Sequence, residues 1–253
     1  MIHWRREWQT LLLAIGFLTR IPVPNDPDFS EEKLNRACLY FPLVGLLLAA
    51  VGAGVFVIAD QLFPSITVAV LLSMAATLFV SGGFHEDGLA DCADGFGGGQ
   101  TVDDVLRIMK DSRLGSFAVL TLFSVLAIKA ASLVALAEAG KLVGALLFAH
   151  VLSRWFAISF MFDLVYVRSQ GKAQPLARQM TRAEFLLAGL PVLPLFLFCS
   201  WASLLMLIVV LLVLKLAATL WLKRRLGGYT GDVLGGLQQL SELAVYLVLL
   251  AYI

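Results

Sequence analysis

Hydrophobicity runs along this chain in long blocks separated by short polar breaks. Stretches apolar enough to cross about 30 Å of hydrocarbon lie at roughly 37–59, 62–84, 114–137, 141–162, 184–200 and 202–222, and a shorter one closes the chain at about 238–253. Only Asp60 and Gln61 part the first from the second, and only a turn near Ser200 and Trp201 parts the fifth from the sixth, so both pairs read as helical hairpins. Pro64, Pro191 and Pro194 sit where a span can end or kink. The pattern predicts an all-α fold, a polytopic membrane bundle of about seven transmembrane helices organised as a single integral membrane domain over 1–253.

The N-terminal segment is different. Its apolar part, Trp8 to Thr19, is too short to span, and Arg20-Ile21-Pro22-Val23-Pro24 is a poor cleavage site for a signal peptide. With Trp4, Trp8, Arg5 and Arg6 it suits an amphipathic helix lying at the membrane surface, and equally a helix packed on the bundle. Composition supports the membrane class: 60% of residues are hydrophobic, 15% are charged, and mean hydropathy is +0.88. The net charge of +1 gives no hint of nucleic-acid binding. Cys38, Cys92 and Cys199 are too scattered for a disulfide framework or a metal knuckle and read as small apolar fillers.

The placement of charge predicts orientation. Arg5, Arg6, Arg20, Lys33 and Arg36 precede the first span. Arg107, Lys110 and Arg113 lie in the 85–113 loop, Arg168, Lys172, Arg178 and Arg182 in the 163–183 loop, and Lys223, Arg224 and Arg225 in the 223–237 loop. The opposite loops hold only Lys141. By the positive-inside rule the N-terminus and the three long loops are cytoplasmic and the C-terminus is outside.

Chemistry concentrates in the run from Gly82 to Gly95, which carries His85, Glu86, Asp87, Asp91 and Asp94 directly after an apolar stretch. On a helix Asp87, Asp91 and Asp94 stand at i, i+4 and i+7 and project from one face. Like charges at this spacing cost about 0.2–0.5 kcal/mol per pair, so a cation is the natural compensation. Oxygen-only donors point to a hard ion, Mg2+ or Mn2+. The Gly95–Gly99 turn that follows either approaches an anion through its amides or simply reverses the chain.

Two further blocks stand out. Lys110-Asp111-Ser112-Arg113-Leu114-Gly115 leads into the third span, where Arg113 as a fork and Lys110 as a point charge suit phosphate oxygens or serve as topology anchors. Gly227 to Gly236 surrounds Asp232 with glycines, Gly231 among them. The backbone there either passes close to a bulky ligand while Asp232 adds another hard oxygen, or forms a loop with Asp232 as helix cap. Charges inside the spans are rarer. His150 and Arg154 at i, i+4 suit an anion-binding cavity floor, while Lys129 and Lys215 either mark function in the bundle interior or are structural, paired or snorkelling.

These blocks together resemble the cobalamin synthase, or adenosylcobinamide-GDP ribazoletransferase, family. The resemblance rests on His85 to Gly95 as His-x-Asp-Gly-Leu-Ala-Asp-x-Ala-Asp-Gly, on Lys110-Asp-Ser-Arg-x-Gly115 and on Tyr229-Thr-Gly-Asp-x-x-Gly235. Phe17-Leu-Thr-Arg-Ile-Pro22 and Phe41-Pro-Leu-Val-Gly45 extend it over the full length. Glu86 and Cys92 depart from residues frequent in the family, but neither change removes an aspartate.

The resemblance implies a single transferase domain in the cell inner membrane and a Mg2+-dependent transfer. A ribose hydroxyl of α-ribazole, or of its 5′-phosphate, attacks the activated phosphate of adenosylcobinamide-GDP and GMP leaves. Asp87, Asp91, Asp94 and Asp232 are the expected metal ligands, and Lys110, Arg113, His150, Arg154 and Gly231 the expected substrate contacts. Asp94 is the expected proton acceptor, with His85 as the second candidate. A homo-oligomer, or a complex with other late enzymes of the same pathway, is compatible with this. The rival classes are a transporter or divalent-cation channel and a membrane assembly factor. Against the first, the carboxylates follow a span instead of lying at its midplane; the second leaves the glycine-flanked aspartates unexplained.

Overall fold

The computed structural model describes residues 2–168 and 180–252, so Lys172 and Arg178 lie outside the described residues. Within them the chain is helical throughout, and the only β pairing is an isolated bridge between Tyr166 and Tyr229. Helix α1 (Ile2–Leu18) is followed by α2 (Glu31–Arg36), a 3-10 turn and α3 (Phe41–Leu62). Next come α4 (Ile66–Ser81), α5 (Phe84–Gly98), the short α6 (Val102–Ile108), α7 (Ser116–Glu138), α8 (Leu142–Ile158) and α9 (Phe160–Asp163). The described chain ends with α10 (Arg182–Ala188), a 3-10 run (Leu190–Phe198), α11 (Trp201–Arg225) and α12 (Gly231–Ala251).

Five helical stretches are long and apolar enough to cross a membrane, or six if the bent α4–α5 pair is one span. The expected polytopic bundle is present, while the count of seven is not reached by this measure. Two segments account for the difference. The stretch expected over 62–84 stops at Ser81, because Gly82 and Gly83 adopt φ of 67° and 66°, a left-handed conformation open to glycine at little cost. Two such residues in succession turn α5 away from α4 by 86°. The stretch expected over 184–200 opens with a capping box, in which Thr181 and Glu184 satisfy each other's backbone N–H groups. It then continues as 3-10 helix through Pro191 and Pro194, which have no N–H to donate to an α-helical ladder. This segment lies along α8, with Phe185 stacked on Trp155 at 4.8 Å and Phe196 5.9 Å from Phe148.

Helices α8 and α12 form the interior. α12 packs against α5, α7, α8 and α11, while α3 packs against α4 and α8. By contrast α7 and α11 expose Phe117, Leu120, Phe123, Leu205, Leu212 and Leu216. Such continuous apolar surface is tolerated where the solvent is lipid. The two expectations for α1 are combined in one helix. Ala14 and Leu18 are buried, Phe17 stacks on Phe41 at 5.9 Å, and Trp4 and Trp8 point outward. Glu7 fastens it to the next element through Arg36 and Tyr40, each at 2.6 Å.

Candidate active site

The first chemical block is helical, as its spacing predicts: α5 carries Asp87, Asp91 and Asp94 over two turns. What surrounds α5 comes from the other two blocks. A Cβ at Gly88 would stand 2.8 Å from the carbonyl oxygen of Asp232 and 3.0 Å from its Cα, so the start of α12 crosses α5 closely because residue 88 has no side chain. Thr230, not Asp232, caps α12, its hydroxyl accepting the Val233 N–H at 3.3 Å. Asp232, in the first helical turn, therefore has its carboxylate free for other contacts, and it pairs with Arg168 at 2.6 Å.

Asp94 joins the second block to the first. Its carboxylate oxygens accept the backbone N–H of Gly115 at 2.6 Å and of Ala118 at 2.9 Å, satisfying donors at the start of α7 that have no intrahelical partner. Both oxygens of the residue expected to accept a proton are thus engaged in holding α7 against α5. Asp94→Asn keeps one acceptor oxygen. It is expected to lower the thermal midpoint in detergent, by the ~1 kcal/mol typical of a weakened cap, and to reduce turnover less than Asp91→Asn does. Complete loss of turnover with an unchanged midpoint would instead return Asp94 to the proton-acceptor role. At the other end of α5, Arg225 from α11 donates to the carbonyls of Phe96 at 3.2 Å and Gly99 at 2.9 Å. A cation there also complements the helix dipole.

Asp91 is half-buried and within electrostatic reach of Asp232, Asp87 and Asp94, with Arg168 as the compensating cation. Asp87 is exposed and lines a cleft of about 720 Å³ together with Thr19, Arg20, Gly83, Glu86 and Leu114. Among the described residues no three His, Cys, Asp or Glu side chains converge closely enough to form a metal cage. Lys110 and Arg113 are exposed at the start of α7. The Arg113 guanidinium grips Asp111 at 2.6 Å and holds that carboxyl below the ordinary carboxylate range. Gly231 is the first residue of α12, beside Asp232.

Three expected site residues lie elsewhere. His85 is buried with its ring edge-on to Phe84, and it does not line the cleft. His150 and Arg154 are also buried. Arg154 donates to the His150 carbonyl at 2.8 Å, and both face Glu242 of α12, at 3.9 Å from Arg154 and 3.4 Å from His150. Lys129 reaches the same carboxylate at 2.5 Å, and Gln238 donates to it at 2.7 Å. The two residues expected to floor an anion-binding cavity thus belong to a buried network of counter-charges around Glu242. Lys215 is paired with Asp163 at 2.8 Å over the ring of Phe160, in line with the structural alternative.

Arg168 and Arg20 are candidate site residues that the sequence offered without a site role, Arg168 as a loop charge and Arg20 as a charge before the first span within the block from Phe17 to Pro22. Arg168 is brought to Asp232 by the short pairing before it: Tyr229 donates to the Val165 carbonyl at 2.9 Å and Val167 donates to the Tyr229 carbonyl at 3.0 Å. No periodicity links these positions. Glu242 was findable, because Gln238, Gln239 and Glu242 are polar residues inside an apolar span and the rule that singled out Lys129 applies to them equally.

Comparison with known proteins gives one consistent result. Residues 10–250 match the family described as Cobalamin-5-phosphate synthase. A protein of Ralstonia nicotianae named adenosylcobinamide-GDP ribazoletransferase is 46% identical, the match covering 100% of this chain and 98% of that protein. Proteins of the same name from Shewanella amazonensis and Vibrio cholerae are 47% and 43% identical over 99% and 98% of this chain, and over 98% and 96% of their own. No solved structure matches the chain.

Proposed function

Since the chain belongs to the cobalamin-5-phosphate synthase family, we propose that it is an adenosylcobinamide-GDP ribazoletransferase acting on α-ribazole or its 5′-phosphate. The observation that carries this is the assembly of three separate sequence blocks at one end of the bundle. α5 bears the carboxylate face, the start of α7 is bound to Asp94, and the start of α12 is set against Gly88. In the reaction a ribose hydroxyl oxygen forms a bond to the phosphorus that carries the cobinamide alcohol. The bond from that phosphorus to the GMP oxygen breaks, and the hydroxyl proton leaves to a carboxylate or to solvent.

One or two of Asp87, Asp91 and Asp232 would hold Mg2+. The donor set fits, because Mg2+ takes one or two carboxylates, keeps several waters and completes its shell with substrate phosphates, so no closed protein cage is needed. When bound, the ion neutralises charge on the bridging and leaving phosphate oxygens. Asp91 and Asp232 would supply negative charge to the ion, and Arg168 offsets part of that charge by pairing with Asp232. Lys110 and Arg113, exposed at the start of α7, remain candidates for the outer phosphate contacts. The Lys and Arg distribution supports an inner-membrane protein with this end in the cytoplasm.

The test is GMP release by the purified chain in detergent, supplied with adenosylcobinamide-GDP, α-ribazole and Mg2+. Release with cobalamin formation is expected, together with its loss on chelation and recovery on adding Mg2+. Absence of GMP would end the transferase assignment, and turnover indifferent to chelation would end the metal assignment alone.

A further inference from the structure

Arg20 stands just past the end of α1, its backbone N–H donating to the Val80 carbonyl at 2.8 Å, near the break between α4 and α5. Its side chain passes over the bend, where a Cβ on Gly82 would meet Arg20 Nε at 2.5 Å and Cγ at 2.9 Å. The guanidinium lines the 720 Å³ cleft with Glu86 and Asp87, yet among the described residues it has no ion-pair or hydrogen-bond partner. Three other arginines at this end are engaged: Arg113 by Asp111, Arg168 by Asp232, and Arg225 by the Phe96 and Gly99 carbonyls. An unengaged arginine and an exposed carboxylate lining one cleft suit a ligand that itself carries both signs. A diphosphate with its metal ion is such a ligand, presenting oxygens to the planar fork and a cation to Asp87.

We propose that Arg20 binds the diphosphate of the GDP-activated substrate and so selects that substrate over α-ribazole. This rests on the transferase assignment above. A lipid headgroup phosphate offers the same chemistry to a residue at the end of a surface helix, so the experiment must separate the two sources.

Arg20→Gln and Arg20→Lys, in the full chain purified in detergent, are compared with the wild type for KM toward each substrate, for binding of radiolabelled GDP with Mg2+, and for thermal midpoint. Loss of a charge-assisted contact predicts that Arg20→Gln raises the GDP dissociation constant and the KM for adenosylcobinamide-GDP by about tenfold or more, leaving KM for α-ribazole within about twofold. Arg20→Lys should recover only part of the loss, because a point charge cannot reproduce the fork. Unchanged GDP binding in Arg20→Gln overturns the proposal, as does equal loss toward both substrates. A defect seen only after reconstitution into anionic vesicles also overturns it, in favour of a lipid contact. A wild-type protein that releases no GMP fails on the earlier assignment, a result distinguishable from failure of Arg20.

Discussion

Asp91→Asn is expected to lower kcat by on the order of 10²-fold or more while the protein becomes no less stable. The substitution keeps the size of the side chain and removes one negative charge from a group that already faces Asp232, Asp87 and Asp94. Mutual repulsion among these carboxylates is a cost the folded chain carries without a metal, and Arg168 offsets part of it by pairing with Asp232. Removing one charge relieves that cost, so the thermal midpoint measured without Mg2+ should stay level or rise while GMP release collapses. Sites organised for function commonly show this opposition between stability and activity. Near-normal turnover would remove Asp91 from the site. A falling midpoint alongside falling turnover would make it a structural residue.

The carboxylate helix was legible because its information is local. Three aspartates at helical spacing, glycines at both ends of the run and an apolar stretch before it suffice to place one charged face. The membrane class was legible for the same reason, since block length and composition carry it. What escaped depends on pairs far apart in sequence. Lys129 and Glu242 belong to α7 and α12, and Arg168 reaches Asp232 only because residues 165–167 pair with Tyr229. Asp94 illustrates the limit within a motif: its spacing is that of a metal ligand, while its two contacts are backbone donors of the next block. The bend after Ser81 and the 3-10 run after Gly189 were signalled by glycine and proline. Hydropathy alone reads straight through both positions.

The contacts around α5 also tie the site to the packed helices of the bundle. Asp94 and Asp232 are held through elements whose own positions are set by apolar packing: α12 in the interior, α7 and α11 with their outer faces exposed. Asp94 and Arg225 then tie α5 to α7 and α11 at the level of the polar end. Preorganised charge is worth most when it does not have to reorganise during the reaction, and a packed helical scaffold supplies that rigidity.

Glu242→Leu is expected to be the most damaging single change to the bundle. The carboxylate is fully buried, takes Lys129 at 2.5 Å and a Gln238 N–H at 2.7 Å, and stands 3.4 Å from His150 and 3.9 Å from Arg154. Without it Lys129 and Arg154 remain buried as uncompensated cations, a situation that costs about 3–5 kcal/mol. Solvent cannot relieve this cost as it does at a surface, because the groups lie within α7, α8 and α12. Glu242→Gln should do less damage, since an amide keeps one acceptor oxygen, enough for either Lys129 or Gln238, while losing the charge. The double change Lys129→Met with Glu242→Leu removes one buried charge of each sign and should recover a substantial part of the loss, the non-additivity that marks a coupled pair. Unfolding of such proteins in detergent is commonly irreversible, so the measurement is the half-life of GMP-releasing activity at a fixed raised temperature. A Glu242→Leu protein as long-lived as the wild type would show that packing alone holds these helices. A double variant no better than Glu242→Leu would show that Arg154, not Lys129, is the cation that Glu242 chiefly serves.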